Sequence, residues 1–161
     1  MSYETELVLH LPAEDPAAEA LERIASAWGV PVTREADGGP RVQSEGLLVY
    51  SVDPDEEDKA LVRRLFDLDS NLTLVFVDLN HTSTEKMIQG WRNTMKIMLL
   101  LAAVKGSRAV YVEDYNPSAI ILRFEAGQLT LNQDWDGWER WPEVLEVIPH
   151  PHRLEPLKGH A

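Results

Sequence analysis

Between Leu72 and Leu79 the chain is apolar at every position except Thr73 and Asp78. A run that short, carrying two valines and a phenylalanine, suits a strand buried on both faces. A central strand of this kind needs strands beside it and helices over it, so the flanking segments must supply them.

They carry the right markers. Thr5 to Leu11 is rich in apolar and β-branched residues and reads as a first strand, and Leu47 to Val52 as another. Asp15-Pro16 is a helix start, with Asp15 as cap and Pro16 at the position that needs no donor. Leu21, Ile24, Ala25 and Trp28 then follow at helical spacing, and Gly29 is placed to end the helix in a left-handed cap. Asp53-Pro54-Asp55-Glu56 repeats the pattern, predicting a helix capped by Asp53 with Leu61, Val62, Leu65 and Phe66 as its buried stripe. The longest helix is expected from Ser83 or Thr84 to about Lys105, across the sheet, with Ile88, Trp91, Met95, Met98, Leu99 and Ala102 on one face. Three short strands follow, at Ala109 to Glu113, Ala119 to Phe124 and Gln128 to Asn132, joined by hairpin-length loops. Pro31 to Arg41 reads as a turn-rich loop or weak edge strand. The expectation is one α+β domain over 1–148, in the order β-α-β-α-β-α-β-β-β. Five to six strands in a largely antiparallel sheet would pack with three helices, and 149–161 would form a mobile tail.

Composition narrows the function. The 161 residues include no cysteine, which removes disulfide frameworks, thiolate zinc sites and a cysteine nucleophile. Fifteen Lys and Arg stand against 27 Asp and Glu, a net charge of −12. Such a field repels phosphate backbones and anionic lipid, arguing against nucleic acid and membranes as partners. It favours a basic protein partner, by steering its approach, or serves solubility alone. Glu4 and Glu6 stand where an export signal would carry basic residues, and the longest apolar run, Ile97 to Val104, is far short of a membrane span. The reading is a cytoplasmic protein.

The most unusual segment is 132–143. Trp135, Trp138 and Trp141 are three apart, so a helical turn would stack them on one side, with Asp134, Asp136 and Glu139 between them. Aromatic rings beside carboxylates suit capture of Arg and Lys from a basic partner. Glu113, Asp114 and Tyr115 from the neighbouring hairpin would extend that surface. The alternative is that the indoles fold back and close the open face of the sheet. A third reading is calcium: Asn132, Asp134, Asp136, Gly137 and Glu143 occupy positions 1, 3, 5, 6 and 12 of an EF-hand loop. The preceding segment reads as a strand, however, and Trp141-Pro142 interrupts the place where the exiting helix belongs. His150, His152 and His160 belong to the tail, while His10 and His81 sit at strand ends. No nucleophile elbow, P-loop, dinucleotide fingerprint or H-E-x-x-H motif is present, and neither an enzyme nor a cofactor is expected.

Several segments carry a family resemblance. The start Tyr3-Glu4-Thr5-Glu6-Leu7-Val8-Leu9 leads into a helix ending Ala27-Trp28-Gly29. The strand Leu72 to Asn80 precedes the long helix. Ile120-Ile121-Leu122-Arg123-Phe124, the glycine turn at Gly127 and Leu129-Thr130-Leu131-Asn132 lead to Trp135. In these features the chain resembles the immunity proteins of swarming-inhibition (Sit) toxin systems, small cytoplasmic type. The resemblance implies a non-enzymatic protein that neutralises a cognate toxin by stoichiometric binding. Two other classes remain open: a small-molecule-binding domain or small enzyme with a pocket between the long helix and the sheet, and a calcium-binding module at 132–143. A homodimer through exposed edge strands is a further possibility.

Overall fold

A computed structural model of the chain describes residues 3–34, 38–44, 46–79, 83–113, 116–149 and 152–157. The elements run β1 (Tyr3–His10), α1 (Pro16–Trp28), β2 (Thr33–Arg34), β3 (Pro40–Ser44), β4 (Leu47–Val52), α2 (Glu56–Phe66), β5 (Leu72–Asp78), α3 (Thr84–Ala102), β6 (Arg108–Glu113), β7 (Asn116–Glu125), β8 (Gln128–Asn132), α4 (Gly137–Arg140), α5 (Pro142–Leu145) and β9 (Arg153–Glu155). They form a single sheet in the order β2-β3-β4-β5-β1-β6-β7-β8-β9.

The architecture is α+β, but the expected five to six strands and three helices are too few: the described residues hold nine strands and five helices. The additions are short. The two-residue β2 lies within Pro31 to Arg41, the five-residue β3 begins at the end of that segment and runs on to Ser44, and the three-residue β9 lies in the segment expected to be a mobile tail. Segments of that length have no hydrophobic period of their own and become strands only because a neighbour's free edge accepts them. The sheet is mixed: β9 runs parallel to β8, and the other strand pairs are antiparallel. Both edge strands are so short that a partner chain would gain few ladder bonds there.

β5 is an interior strand between β4 and β1, and Leu72 to Val77 are buried on both faces. On one face Leu7, Leu9, Leu74, Phe76 and Tyr111 share a core with Leu21 and Ile24 of α1 and Met95, Met98 and Leu101 of α3. On the other, Val110, Val112 and Ile120 pack with Leu61, Leu65 and Phe66 of α2 and with Leu157. Each large apolar side chain so buried contributes about 1.5–3 kcal/mol.

The helix ends follow local chemistry. Asp15 accepts from the Ala18 N–H, and Gly29 closes α1 at φ 69°. α2 begins later than expected: Asp55, not Asp53, is the cap, accepting from the Asp58 N–H. Ser83 caps α3 through the Lys86 N–H. α3 stops at Ala102, short of Lys105, because Val104 N–H and the buried Ser107 hydroxyl both turn back to the Leu101 carbonyl. No helix among the described residues is long and apolar enough to cross a membrane.

Candidate functional site

The tryptophan segment leaves β8 through Asn132, whose side-chain nitrogen and oxygen are both hydrogen-bonded. Its Nδ2 donates to the Ile120 carbonyl at 2.7 Å, and its Oδ1 accepts from the Asp134 and Leu157 N–H groups. This clamp turns the chain back over α3. Trp135 and Trp138 are 8 % and 7 % exposed and Trp141 is half-buried, so the expected aromatic ridge is not at the surface. Trp135 meets Trp138 edge-on at 4.6 Å between centroids and Trp91 of α3 at 5.1 Å. Trp141 stacks on Trp91 at 6.3 Å. The reason is area: indoles gain most by filling the gap between the sheet end and α3, and the N–H groups of Trp135 and Trp138 find partners there. Trp138 Nε1 donates to the Asn132 carbonyl at 2.8 Å, and Trp135 Nε1 to Glu113 Oε1 at 2.9 Å.

Glu113 is therefore an interior carboxylate and not part of an exposed rim. The acids that do face solvent are Asp134, Asp136 and Glu139, followed by Glu143 and Glu146. Asp136 pairs with Arg140 at 2.6 Å. Arg92 of α3 donates to the Glu143 carbonyl at 2.8 Å and lies 3.7 Å from Glu146. Asp114 and Tyr115 lie outside the described residues, as do His81, His150 and His160.

The calcium reading loses its ligand sphere. Asn132 spends its amide on the backbone, Asp136 faces Arg140, and two four-residue helices replace a single exiting helix. Among the described residues no three His, Asp or Glu side chains are grouped as metal ligands would be.

A second feature adjoins the indoles. Where β1 begins and β5 and β6 end, the first half of α3 leaves a small cleft against the sheet. It is lined by Thr5, Leu47, Phe76, Asp78, Gly90, Trp91, Thr94 and Tyr111. A pocket between the long helix and the sheet was among the expectations; the observed one is small, with room of about 20 Å³, the space of one water-sized group, and it opens to solvent. The Thr5 and Tyr111 hydroxyls share a hydrogen bond in its wall. Thr94 Oγ1 donates to the Gly90 carbonyl at 2.9 Å. Burial pushes the Tyr111 phenol far above its ordinary range, and the nearby Glu113 and Asp78 charges push the same way, against the Thr5 hydrogen bond. The phenol is thus a fixed neutral hydroxyl.

Sequence reasoning passed over these cleft residues, which lie on five elements. Two traces of it were legible. Asp78 is the one acid in an interior strand that is apolar apart from it and Thr73. Gly90 sits mid-helix, where glycine costs about 1 kcal/mol relative to alanine. A methyl at Gly90 would stand 3.7–3.8 Å from the Asp78 carboxyl atoms, inside the cleft.

Compared with known proteins, the chain matches no family, no curated protein and no solved structure.

Proposed function

We propose that this chain is a non-catalytic, cytoplasmic binding protein of the immunity type its sequence resembles, which neutralises a basic toxin by stoichiometric contact. The observation that supports it is the row of exposed carboxylates at Asp134, Asp136, Glu139, Glu143 and Glu146, held on a segment anchored by two buried indoles, in a chain of net charge −12. Burial of the indoles removes the aromatic half of the interface expected from sequence. What remains is a rigid acidic platform, and rigidity lowers the ordering cost of association. Opposite charge on the partner would raise the on-rate and make it fall steeply with salt.

The test is co-expression with the toxin domain encoded by a neighbouring gene. The native chain should restore growth, and the purified pair should associate stoichiometrically. Reversing Asp134, Asp136 and Glu139 to lysine should slow association by about tenfold or more and flatten its salt dependence. An unchanged on-rate overturns the platform, and a chromosomal neighbourhood of metabolic genes with no toxin overturns the function.

A further inference from the structure

We propose that the groove between the C-terminal end of α3 and the β7–β8 turn binds a small aliphatic carboxylic acid, with Lys105 and Arg108 holding the carboxylate and Ala102, Ala103, Val104 and Ala126 beside the tail. The inference is independent of the acidic platform, which lies against the first half of α3.

Four observations carry it. The first is size: the groove offers about 500 Å³ and opens to solvent, within the range of about 300–1,000 Å³ usual for small-molecule sites. The second is charge. Lys105 and Arg108 stand against Glu125 in the lining, one positive charge in excess, in a chain of net charge −12. The Asp78 cleft, and the groove beside α1 that holds Asp15, Glu22 and Arg34, are each negative in balance. A single excess positive charge suits a monoanion. Lys105 makes no ion pair with a described acid. Arg108 lies 3.4 Å from Glu125 through Nε in a solvent-exposed pair, a weak bond that an incoming carboxylate can share. The third is the helix end. A helix C-terminus ordinarily repels an anion, but the Val104 N–H and the Ser107 hydroxyl both donate to the Leu101 carbonyl and blunt that effect. The fourth is the turn. Ala126 takes φ 55°, a left-handed conformation that asparagine, aspartate or glycine adopts more easily in a two-residue hairpin. Alanine there keeps the wall small and apolar, which favours an apolar tail over a second polar group. A free acid fits better than the C-terminus of a partner chain, because Glu125 pairs with Arg108 on one side and Gln128 on the other and leaves a peptide backbone no strand edge to join.

The probe is sodium octanoate at monomeric concentration, with sodium acetate, octylammonium chloride and the dipeptide N-acetyl-Ala-Leu compared at equal ionic strength. Amide chemical shifts of Ala103, Lys105, Gly106, Ala126 and Gly127 report occupancy. Octanoate should give saturable shifts confined to these residues. Acetate lacks the tail and octylammonium reverses the charge, so each should bind about tenfold more weakly or worse. That comparison is made on the native chain and needs no variant. The double variant Lys105→Gln, Arg108→Gln loses one exposed ion pair, so it should unfold at the native temperature yet bind octanoate about tenfold more weakly. Undiminished binding by the folded double variant, equal binding of acetate or of octylammonium, or no saturation would each overturn the inference. Tighter binding of N-acetyl-Ala-Leu than of octanoate would overturn the free acid in favour of a chain end.

Discussion

Trp135 Nε1 donates to Glu113 Oε1 across 2.9 Å inside the protein, between residues 22 apart in sequence. That one bond ties the indole segment to the end of β6. It satisfies an indole N–H and a carboxylate that would each be costly to bury alone.

The pair predicts an asymmetry. Trp135→Phe keeps most of the apolar volume but strips the donor from a buried carboxylate, and should cost about 2–4 kcal/mol. Glu113→Gln retains an acceptor oxygen and should cost about 1 kcal/mol or less. Urea unfolding of both variants measures the difference; equal losses would mean the bond contributes little beyond packing.

Gly137 tests how closely the turn is packed. A Cβ there would lie 2.1–2.5 Å from three atoms of the Trp135 ring, whereas one at Gly39 would meet nothing within 4 Å. Gly137→Ala should therefore destabilise by about 2 kcal/mol or more through overpacking, and Gly39→Ala should be near neutral. Near-UV circular dichroism should register the displaced indoles in the first variant alone.

Tyr111 should make the protein sensitive to alkali. Its folded-state pKa is raised above the unfolded value, so the folded protein holds the proton more tightly than the unfolded chain. The associated stability is fully present below the unfolded pKa of about 10 and is lost as pH rises above it. Spectrophotometric titration should show one phenol that ionises only on unfolding, and Tyr111→Phe should abolish that step. Ionisation of every tyrosine in the folded state would contradict the burial.

The C-terminal segment should carry stability. Leu157 packs on the Val110, Val112 and Ile120 cluster, its N–H reaches Asn132 Oδ1 at 3.2 Å, and Glu155 lies 3.3 Å from Arg123. A chain ending at Pro149 should lose about 1–3 kcal/mol by thermal unfolding, chiefly from the exposed cluster and the unsatisfied asparagine. No loss would return this segment to the role of a tail.

Local chemistry was readable along the chain because it acts within a few residues. The Asp15 and Ser83 caps, the αL glycine at Gly29 and the buried run of β5 each depend on neighbours one turn or one strand away. Strand count, indole burial and the cleft were not, because each is an energy between distant segments. β2 and β9 are too short to show a period and exist by pairing. A three-residue tryptophan spacing is the same whether the rings face water or α3, and the area available on α3 settled it. The cleft joins residues 5, 78, 90 and 111, which only the β1–β5 and β1–β6 registers and the lie of α3 bring within reach of one another. Hydrophobic period and capping are properties of a segment, whereas burial belongs to the assembled surfaces.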